Sequence, residues 1–332
     1  MKDKVWALYL TLSPAQVKGE RTIEFDEDFW VYTLDKAKES GINTIVLEVG
    51  DNIFYKSHPE IAHEKAWGEE KIKKLVTQCA ERGLSLVPKT NFSTGHSYWM
   101  KEYRRMTSTK PYYDFCSDII KELSKLFDHP QAIHIGYDEE VPFMADKDGY
   151  VVYRRGELLM HDFQFLIDEV KKTGATPWAW YDPLWEYPED YLKYMDPKEN
   201  VVLCPWFYFA FQKKHYTPVR QYNNDGSENR WYKEGYRYQE EVPFFSNATD
   251  YFYNNEVLKI MEKGFRYIPA SSIYVTDYNI DELMGYFKDG APDDQIVGHM
   301  TVPWVKTTWD SKEKIDRSLR LFAEARKKHY GK

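Results

Sequence analysis

A single-domain (β/α)8 barrel is the fold this sequence predicts, on three observations. An amphipathic helix, then a glycine, then a short apolar run recurs along the chain, as in KAKESGINTIVLEV, TQCAERGLSLVPKTN, VKKTGATPWAWYD and IMEKGFRYIPA. The apolar runs lack polar alternation, as parallel strands covered by helices should. No Ser/Gly/Pro linker or low-complexity tract divides the 332 residues, a length normal for one barrel with insertions.

The elements follow in chain order. WALYLTLS lies in the first candidate strand, near 4–11, and further strands are expected near 43–49, 84–90, 131–137, 176–181, 200–206, 265–270 and 295–301. Gly41, Gly83, Gly174 and Gly264 stand where a helix C-terminus needs a left-handed residue. Helices between the strands show apolar stripes: Ile72, Leu75, Val76 and Cys79; Phe115, Ile119, Leu123 and Phe127; Leu159, Phe163, Leu166 and Val170; Ile315, Leu319 and Phe322. The stretch from about 208 to 253, after the sixth strand, is too long for a simple loop and is expected to be an insertion over the active-site face. It either closes over the pocket or packs on another subunit, so a homodimer is among the expected assemblies.

Composition narrows the partners. The net charge of −8 argues against nucleic-acid and anionic-membrane partners, because phosphate binding needs clustered Lys and Arg. Aromatic residues make up 17% of the chain, with 27 Tyr and 11 Trp, and such rings suit the C–H face of a sugar as well as a core. Cys79, Cys116 and Cys204 are odd in number and far apart, which implies buried thiols rather than a disulfide framework. No apolar run approaches a membrane span. A reduced, cytoplasmic setting is expected, with export possible had a signal peptide been removed.

In a barrel of this kind the chemistry sits at the C-terminal strand ends. Here those ends read EVGDN, PKTNFSTGH, GYDEE, WYDPLW, PWFY, PASSIY and TVPW, rich in carboxylate, His, Trp and Tyr. Asp138 and Glu139 are adjacent at the fourth. Cleaving a glycosidic bond takes an acid for the leaving oxygen and a second group to support the cationic centre, and neighbouring carboxylates can divide those roles. An Asp/Glu cap on the following loop is the structural alternative for the same residues. Glu140 reads as a loop residue.

His134-Ile-Gly-Tyr-Asp138-Glu139 resembles the His-x-Gly-Gly-Asp-Glu signature of glycoside hydrolase family 20, the β-N-acetylhexosaminidases. Further similarities follow in order over most of the barrel: LVPKTNFSTGHSYW (86–99), PWAWYD (177–182), VVLCPWFY (201–208), GFRYIPASSIYVTD (264–277) and IVGHMTVPW (296–304). The resemblance implies a retaining, exo-acting, substrate-assisted mechanism without metal or cofactor, in which the sugar's own acetamide attacks the anomeric carbon. Asp138 would orient the acetamide, Glu139 would be acid and then base, and Tyr274 would donate a hydrogen bond to the acetamide oxygen. Trp180, Trp206 and Trp304 would wall the sugar, and His96 and His134 would hold the carboxylates. Asp51, Tyr137, Asp182 and Asp277 complete the expected substrate-binding set.

The departures concern the groups that read hydroxyls. Tyr137 stands at the second Gly, Lys89 at the acid of strand three, Thr94 at the Pro before Gly-His, and Lys306 at the acid after the last Trp. The first strand has no Asp-x-x-x-Arg pattern, and the family's accessory N-terminal domain has no counterpart in this sequence. Three other readings follow from the same residues. One is a glycosidase for a sugar without an acetamide, with Asp138, Asp182 or Asp51 acting directly. Another is a Zn- or Mn-dependent isomerase or lyase using His96, His134, Asp138, Glu139 and His299. The third is a sugar-binding barrel without turnover.

Overall fold

The computed structural model describes residues 4–13, 23–140, 152, 154–196, 201–211, 256–261 and 263–331. Nearly all of the expected insertion, from residue 212 to its end near 253, lies outside them. The strands are β1 (Val5–Thr11), β2 (Thr44–Glu48), β3 (Ser85–Lys89), β4 (Ala132–His134), β5 (Thr176–Trp180), β6 (Val202–Cys204), β7 (Arg266–Tyr267), β8 (Ala270–Ser271) and β9 (Gly298–Thr301). They form one curled parallel sheet in the order β7-β6-β5-β4-β3-β2-β1-β9-β8.

The expected seventh strand, 265–270, is where this sheet has its seam. Its first half, β7, pairs with β6, and its second half, β8, pairs with β9. Single bridges from Tyr267 to Ile296 and from Trp206 to Ala270 carry each half across to the other neighbour, which closes the barrel. Pro269 marks the crossover. It has no N–H to give on the β9 side, where its carbonyl accepts from the Met300 N–H at 2.9 Å, while the flanking Ile268 and Ala270 N–H groups donate to the Leu203 and Pro205 carbonyls. One path across the barrel wall therefore divides into two short ladders.

Nine helices are described. They are α1 (Glu27–Glu39), α2 (Glu69–Glu81), α3 (Lys110–Leu126), α4 (Gly156–Lys172), α5 (Asp182–Glu186), α6 (Pro188–Tyr194), α7 (Glu256–Met261), α8 (Asn279–Gly290) and α9 (Lys312–Tyr330). Their apolar stripes face the sheet: Phe115, Ile119 and Leu123 of α3, Leu159, Phe163, Leu166 and Val170 of α4, and Ile315, Leu319 and Phe322 of α9 are all buried. Each such side chain contributes about 1.5–3 kcal/mol on burial, so the stripes and not helix propensity hold the outer layer. Gly41, Gly83, Gly174 and Gly264 have φ of 77°, 66°, 87° and 99°, the left-handed values a turn back into a strand requires. Cys79, Cys116 and Cys204 are buried free thiols.

A second, smaller cluster fills the barrel interior: Ala7, Tyr9, Val46, Val87, Ala132, Trp178, Trp180, Val202, Cys204, Ala270 and Met300. Above it the inward positions become polar. Register places Glu48 beside Lys89 and Lys89 beside His134 on adjacent strands. Lys89 donates to Glu48 at 2.7 Å, and the Tyr9 hydroxyl bonds the other Glu48 oxygen. This buried pair sits under the mouth into which the strand ends open. No helix among the described residues is long and apolar enough to cross a membrane.

Candidate active site

The site is built on an unusual run of backbone after β4. Gly136, Tyr137 and Glu139 have φ of 70°, 73° and 55°. A left-handed conformation costs a non-glycine residue of order 1 kcal/mol or more and persists only where neighbours enforce it. Three side chains supply the enforcement. Asn91 Oδ1 accepts the Tyr137 N–H at 3.1 Å, Asp182 Oδ1 accepts the Glu139 N–H at 3.1 Å, and the Tyr187 hydroxyl donates to the Glu140 carbonyl at 2.7 Å. At Gly136 a Cβ would lie 2.2 Å from Asn91 Oδ1 and 2.7 Å from the Asn91 Cα, so only glycine fits.

This backbone breaks the simple alternation of a strand, and adjacent carboxylates reach one place. His96 Nε2 lies 3.1 Å from Glu139 Oε2 and 3.5 Å from Asp138 Oδ2. Asn91 Nδ2 donates to Asp138 Oδ1 at 2.7 Å. Burial opposes a charge on His96, but the charge of Asp138 and the hydrogen bond and charge of Glu139 outweigh it, and its pKa is raised to about 9. His96 is therefore an imidazolium at neutral pH.

Asp182, the first residue of α5, is buried behind this pair. Its Oδ1 holds the Glu139 peptide and its Oδ2 accepts the Trp206 indole N–H at 2.8 Å. Burial and the charge of Asp138 push its pKa well above the usual carboxylate range. Four residues on, burial and the charge of Asp182 do the same to Glu186, whose carboxyl oxygens are buried with no hydrogen-bond partner among the described residues.

Aromatic rings form the wall. Trp304 packs on Tyr9 with ring centroids 5.1 Å apart and lies 6.3 Å from both Trp180 and Tyr208. Tyr208 also stacks on Trp206 at 5.4 Å and meets Tyr274 edge-on at 6.4 Å. Trp180 is fully buried, whereas Trp304 is 39% and Tyr274 70% exposed, so the cage opens to solvent on their side. Amphipathic rings left exposed beside a carboxylate pair suit a ligand with an apolar face and polar edges.

The structure thus brings Asp138, Glu139, His96, Asp182, Trp180, Trp206, Trp304 and Tyr274 to one mouth. It places the other sequence-derived candidates elsewhere. Tyr137 points outward into the strand–helix layer, where its ring stacks on Phe163 at 4.8 Å and its hydroxyl donates to the Leu159 carbonyl at 3.2 Å. His134 lies in the barrel interior with its ring 4.7 Å from Trp180, and its Nδ1 accepts the Gly136 N–H at 3.0 Å. Burial and the charge of Lys89 hold its pKa well below the ordinary value, so it is neutral and bonds neither carboxylate. Asp51 is buried at the end of β2 and pairs with Lys101 at 3.2 Å. Asp277 pairs with Arg317 on α9, outside the barrel. Glu140 is the loop residue the sequence suggests, but it is fully buried and paired with Arg154 at 2.8 Å. Sequence reasoning passed over Asn91, Tyr208 and Arg154. Asn91 and Tyr208 left a signal, as residues of the strand ends PKTNFSTGH and PWFY, and Arg154 left none.

No protein-family model and no curated protein sequence matches this chain. Solved structures do. A GH20 catalytic module of the pneumococcal exo-β-D-N-acetylglucosaminidase StrH aligns over 98% of this chain and 84% of its own, with a TM-score of 0.60 and 13% identity. The GH20 exo-β-N-acetylglucosaminidase of Vibrio harveyi aligns over 98% of this chain and 54% of its own, with a TM-score of 0.61 and 13% identity. The β-hexosaminidase of Streptomyces plicatus aligns over 95% and 62%, with a TM-score of 0.61 and 14% identity. The fold is that of the GH20 catalytic barrel. At such identity the likeness carries the fold alone and leaves the activity to the residues. Among the described residues, no group of three or more His, Cys, Asp or Glu is placed to hold a metal ion.

Proposed function

We propose that the protein is a retaining, exo-acting glycoside hydrolase of the β-N-acetylhexosaminidase type, using the substrate's 2-acetamido group as nucleophile. The observation that carries this reading is the convergence of Asp138 and Glu139 on His96 at the open end of an aromatic cage. One proton shared between His96 and two carboxylates is what an acid that later becomes a base requires.

In the first step Glu139 passes to the glycosidic oxygen the proton it shares with His96, which leaves the imidazole neutral. The C1–O bond breaks as the acetamide oxygen bonds to C1, giving a cyclic oxazolinium ion and the free alcohol. Asp138 receives the acetamide N–H and balances the positive charge. In the second step water attacks C1 from the vacated face, Glu139 takes its proton, and the C1–acetamide bond opens to release the sugar with retained configuration. Trp180, Trp206 and Trp304 exclude water around the acetamide, and Tyr274, on the exposed rim, donates to its oxygen.

The hydrogen bonds of Asp138 favour this reading over direct attack. Its Oδ1 is held by Asn91 and its Oδ2 is shared with His96, an engagement that suits an orienting group more than a free nucleophile. Asp182 has both oxygens occupied and Asp51 is paired with Lys101, so neither offers a nucleophile in their place. The test is a panel of aryl β-glycosides comprising the N-acetylglucosaminide, N-acetylgalactosaminide, galactoside and glucoside. Turnover confined to the acetamido sugars, inhibited by a thiazoline mimic of the intermediate and abolished by Glu139→Gln with folding preserved, supports the proposal. Equal turnover of the plain glucoside, with indifference to the thiazoline, removes substrate assistance.

A further inference from the structure

Glu140 is the third carboxylate of the triplet, and none of the steps above uses it. Its side chain is fully buried and reaches back from the β4 end to the β3 end. There its Oε1 accepts the Thr94 N–H at 2.7 Å and its Oε2 the Thr94 hydroxyl at 2.6 Å. Thr94 opens the short helical turn Thr94–His96, whose last residue is the imidazolium between Asp138 and Glu139. Behind Glu140, Arg154 donates to Oε1 at 2.8 Å with one guanidinium nitrogen and to Asp162 at 2.6 Å with another. Asp162 in turn accepts from the Ser108 and Tyr113 hydroxyls.

We propose that Glu140, backed by Arg154, is a positioning residue that fixes the His96 imidazole against the Asp138–Glu139 pair. Three carboxylates in sequence thereby serve two purposes: two face the mouth, and the third clamps the turn that carries their shared cation. Asn91 makes the reciprocal tie, from the β3 end to Asp138 and to the Tyr137 peptide. With one link in each direction, the two strand ends cannot slide past each other without breaking a buried charge-assisted bond. A purely structural ion pair would need only the Arg154 contacts. The two bonds to Thr94, two residues before His96, are what a positioning role adds.

The groups facing His96 are Asp138 and Glu139 from the β4 end and Lys89 from β3. Those facing Glu140 are Arg154 and Thr94, with Asp162 beyond Arg154, and Glu186 on α5 near enough to feel its charge. The His96 titration, followed by nitrogen NMR of the imidazoles and assigned with His96→Gln, reads the positioning directly. In the unaltered protein His96 is expected to titrate near 9, its pKa raised by Asp138 and Glu139. Glu140→Gln is expected to lower that value by about one unit or more, since each unit lost is ~1.4 kcal/mol of interaction with the carboxylates. Thr94→Val keeps the Glu140–Arg154 pair whole and is expected to shift His96 in the same direction by less. Asp162→Asn strips Arg154 of its other partner but leaves the Thr94 bonds, and is expected to leave His96 in place.

The kinetic arm rests on the glycosidase proposal: kcat on the responsive aryl glycoside falls about tenfold or more in Glu140→Gln, with KM nearly unchanged, because sub-ångström misplacement of a catalytic group acts on the chemical step. The titration needs no substrate and stands whatever the sugar proves to be. An unshifted His96 in both Glu140→Gln and Thr94→Val, or an equal shift in Asp162→Asn, would overturn the positioning role. Should Glu140→Gln fail to fold, Thr94→Val against Asp162→Asn decides alone.

Discussion

Raising the pH should weaken the folded protein through His96 before any lysine titrates. Its folded pKa of about 9 stands above the ordinary value of 6.5, so the folded state binds the proton more tightly than the unfolded chain does. The stabilisation is therefore full below about pH 6.5 and is lost as pH rises through about 9. Linkage gives about 3 kcal/mol near pH 6, about 2 near pH 7.5 and under about 0.5 near pH 9. His96→Gln removes this dependence while keeping a polar group of similar reach. Urea unfolding of both proteins near those three pH values measures it, since the midpoint shift times the slope gives the free-energy difference. The gap between unaltered protein and variant should close by about 2–3 kcal/mol from pH 6 to pH 9. Parallel curves over that range would refute the claim that Asp138 and Glu139 hold His96 charged.

Three further perturbations follow from the same geometry. Gly136→Ala places a Cβ against the Asn91 backbone at a φ of 70°, and should cost about 2–4 kcal/mol in urea unfolding. Asp182→Asn offers one acceptor where two N–H donors point, so either the Glu139 peptide or the Trp206 indole loses its bond. A drop of about tenfold or more in kcat, with a changed Trp emission spectrum, is the expected pair of readouts. His299 is buried against Trp6 and bonded to Tyr330 at 2.7 Å, and burial, with the charge of Lys4, lowers its pKa to about 3. A depressed histidine stabilises the fold above about pH 6.5 and loses that contribution as pH falls towards about 3. His299→Gln should therefore show a flatter loss of stability between pH 6 and pH 4 than the unaltered protein.

The fold was legible because its signals are local. A stripe of apolar residues, a left-handed glycine and a short apolar run each need only a few neighbouring residues, and the barrel repeats them. The seam at Pro269 was not, since 265–270 reads as one apolar strand and its division depends on which neighbours the two halves meet. Within the site, Asp138 and Glu139 stood out by pattern, but the direction of each side chain did not. Strand alternation fails over Gly136–Glu139 because three of those four residues are left-handed, and Tyr137 consequently points into the helix layer. The burial of Glu140 does not show in the sequence because its partner, Arg154, lies fourteen residues on. Asp277 was expected at the substrate from the resemblance alone, and only the placement of α9 shows that Arg317 claims it.

Charge balance accounts for how so many acids share one mouth. Asp138, Glu139, Glu140, Asp182 and Glu186 crowd together, and the cations bonded to them are His96 and Arg154. A low-dielectric interior does not keep five neighbouring carboxylates ionised beside two cations. The burden falls on the two with no cation bonded to them among the described residues: burial and neighbouring charge push the pKa of Asp182 and Glu186 well above the usual carboxylate range, which favours their neutral forms. The triplet then faces two cations with three carboxylates. The surplus of one negative charge lies at the end of the cage where, on the proposed mechanism, a positively charged oxazolinium forms. A group fixed in advance where charge will develop stabilises that charge without reorganising, which is the largest single contribution an active site of this kind makes. The shift of Asp182 and Glu186 towards their neutral forms keeps that surplus from growing. A fully ionised acid behind Asp138 would raise the surplus and would also draw the proton that, on the proposed mechanism, Glu139 gives to the leaving oxygen.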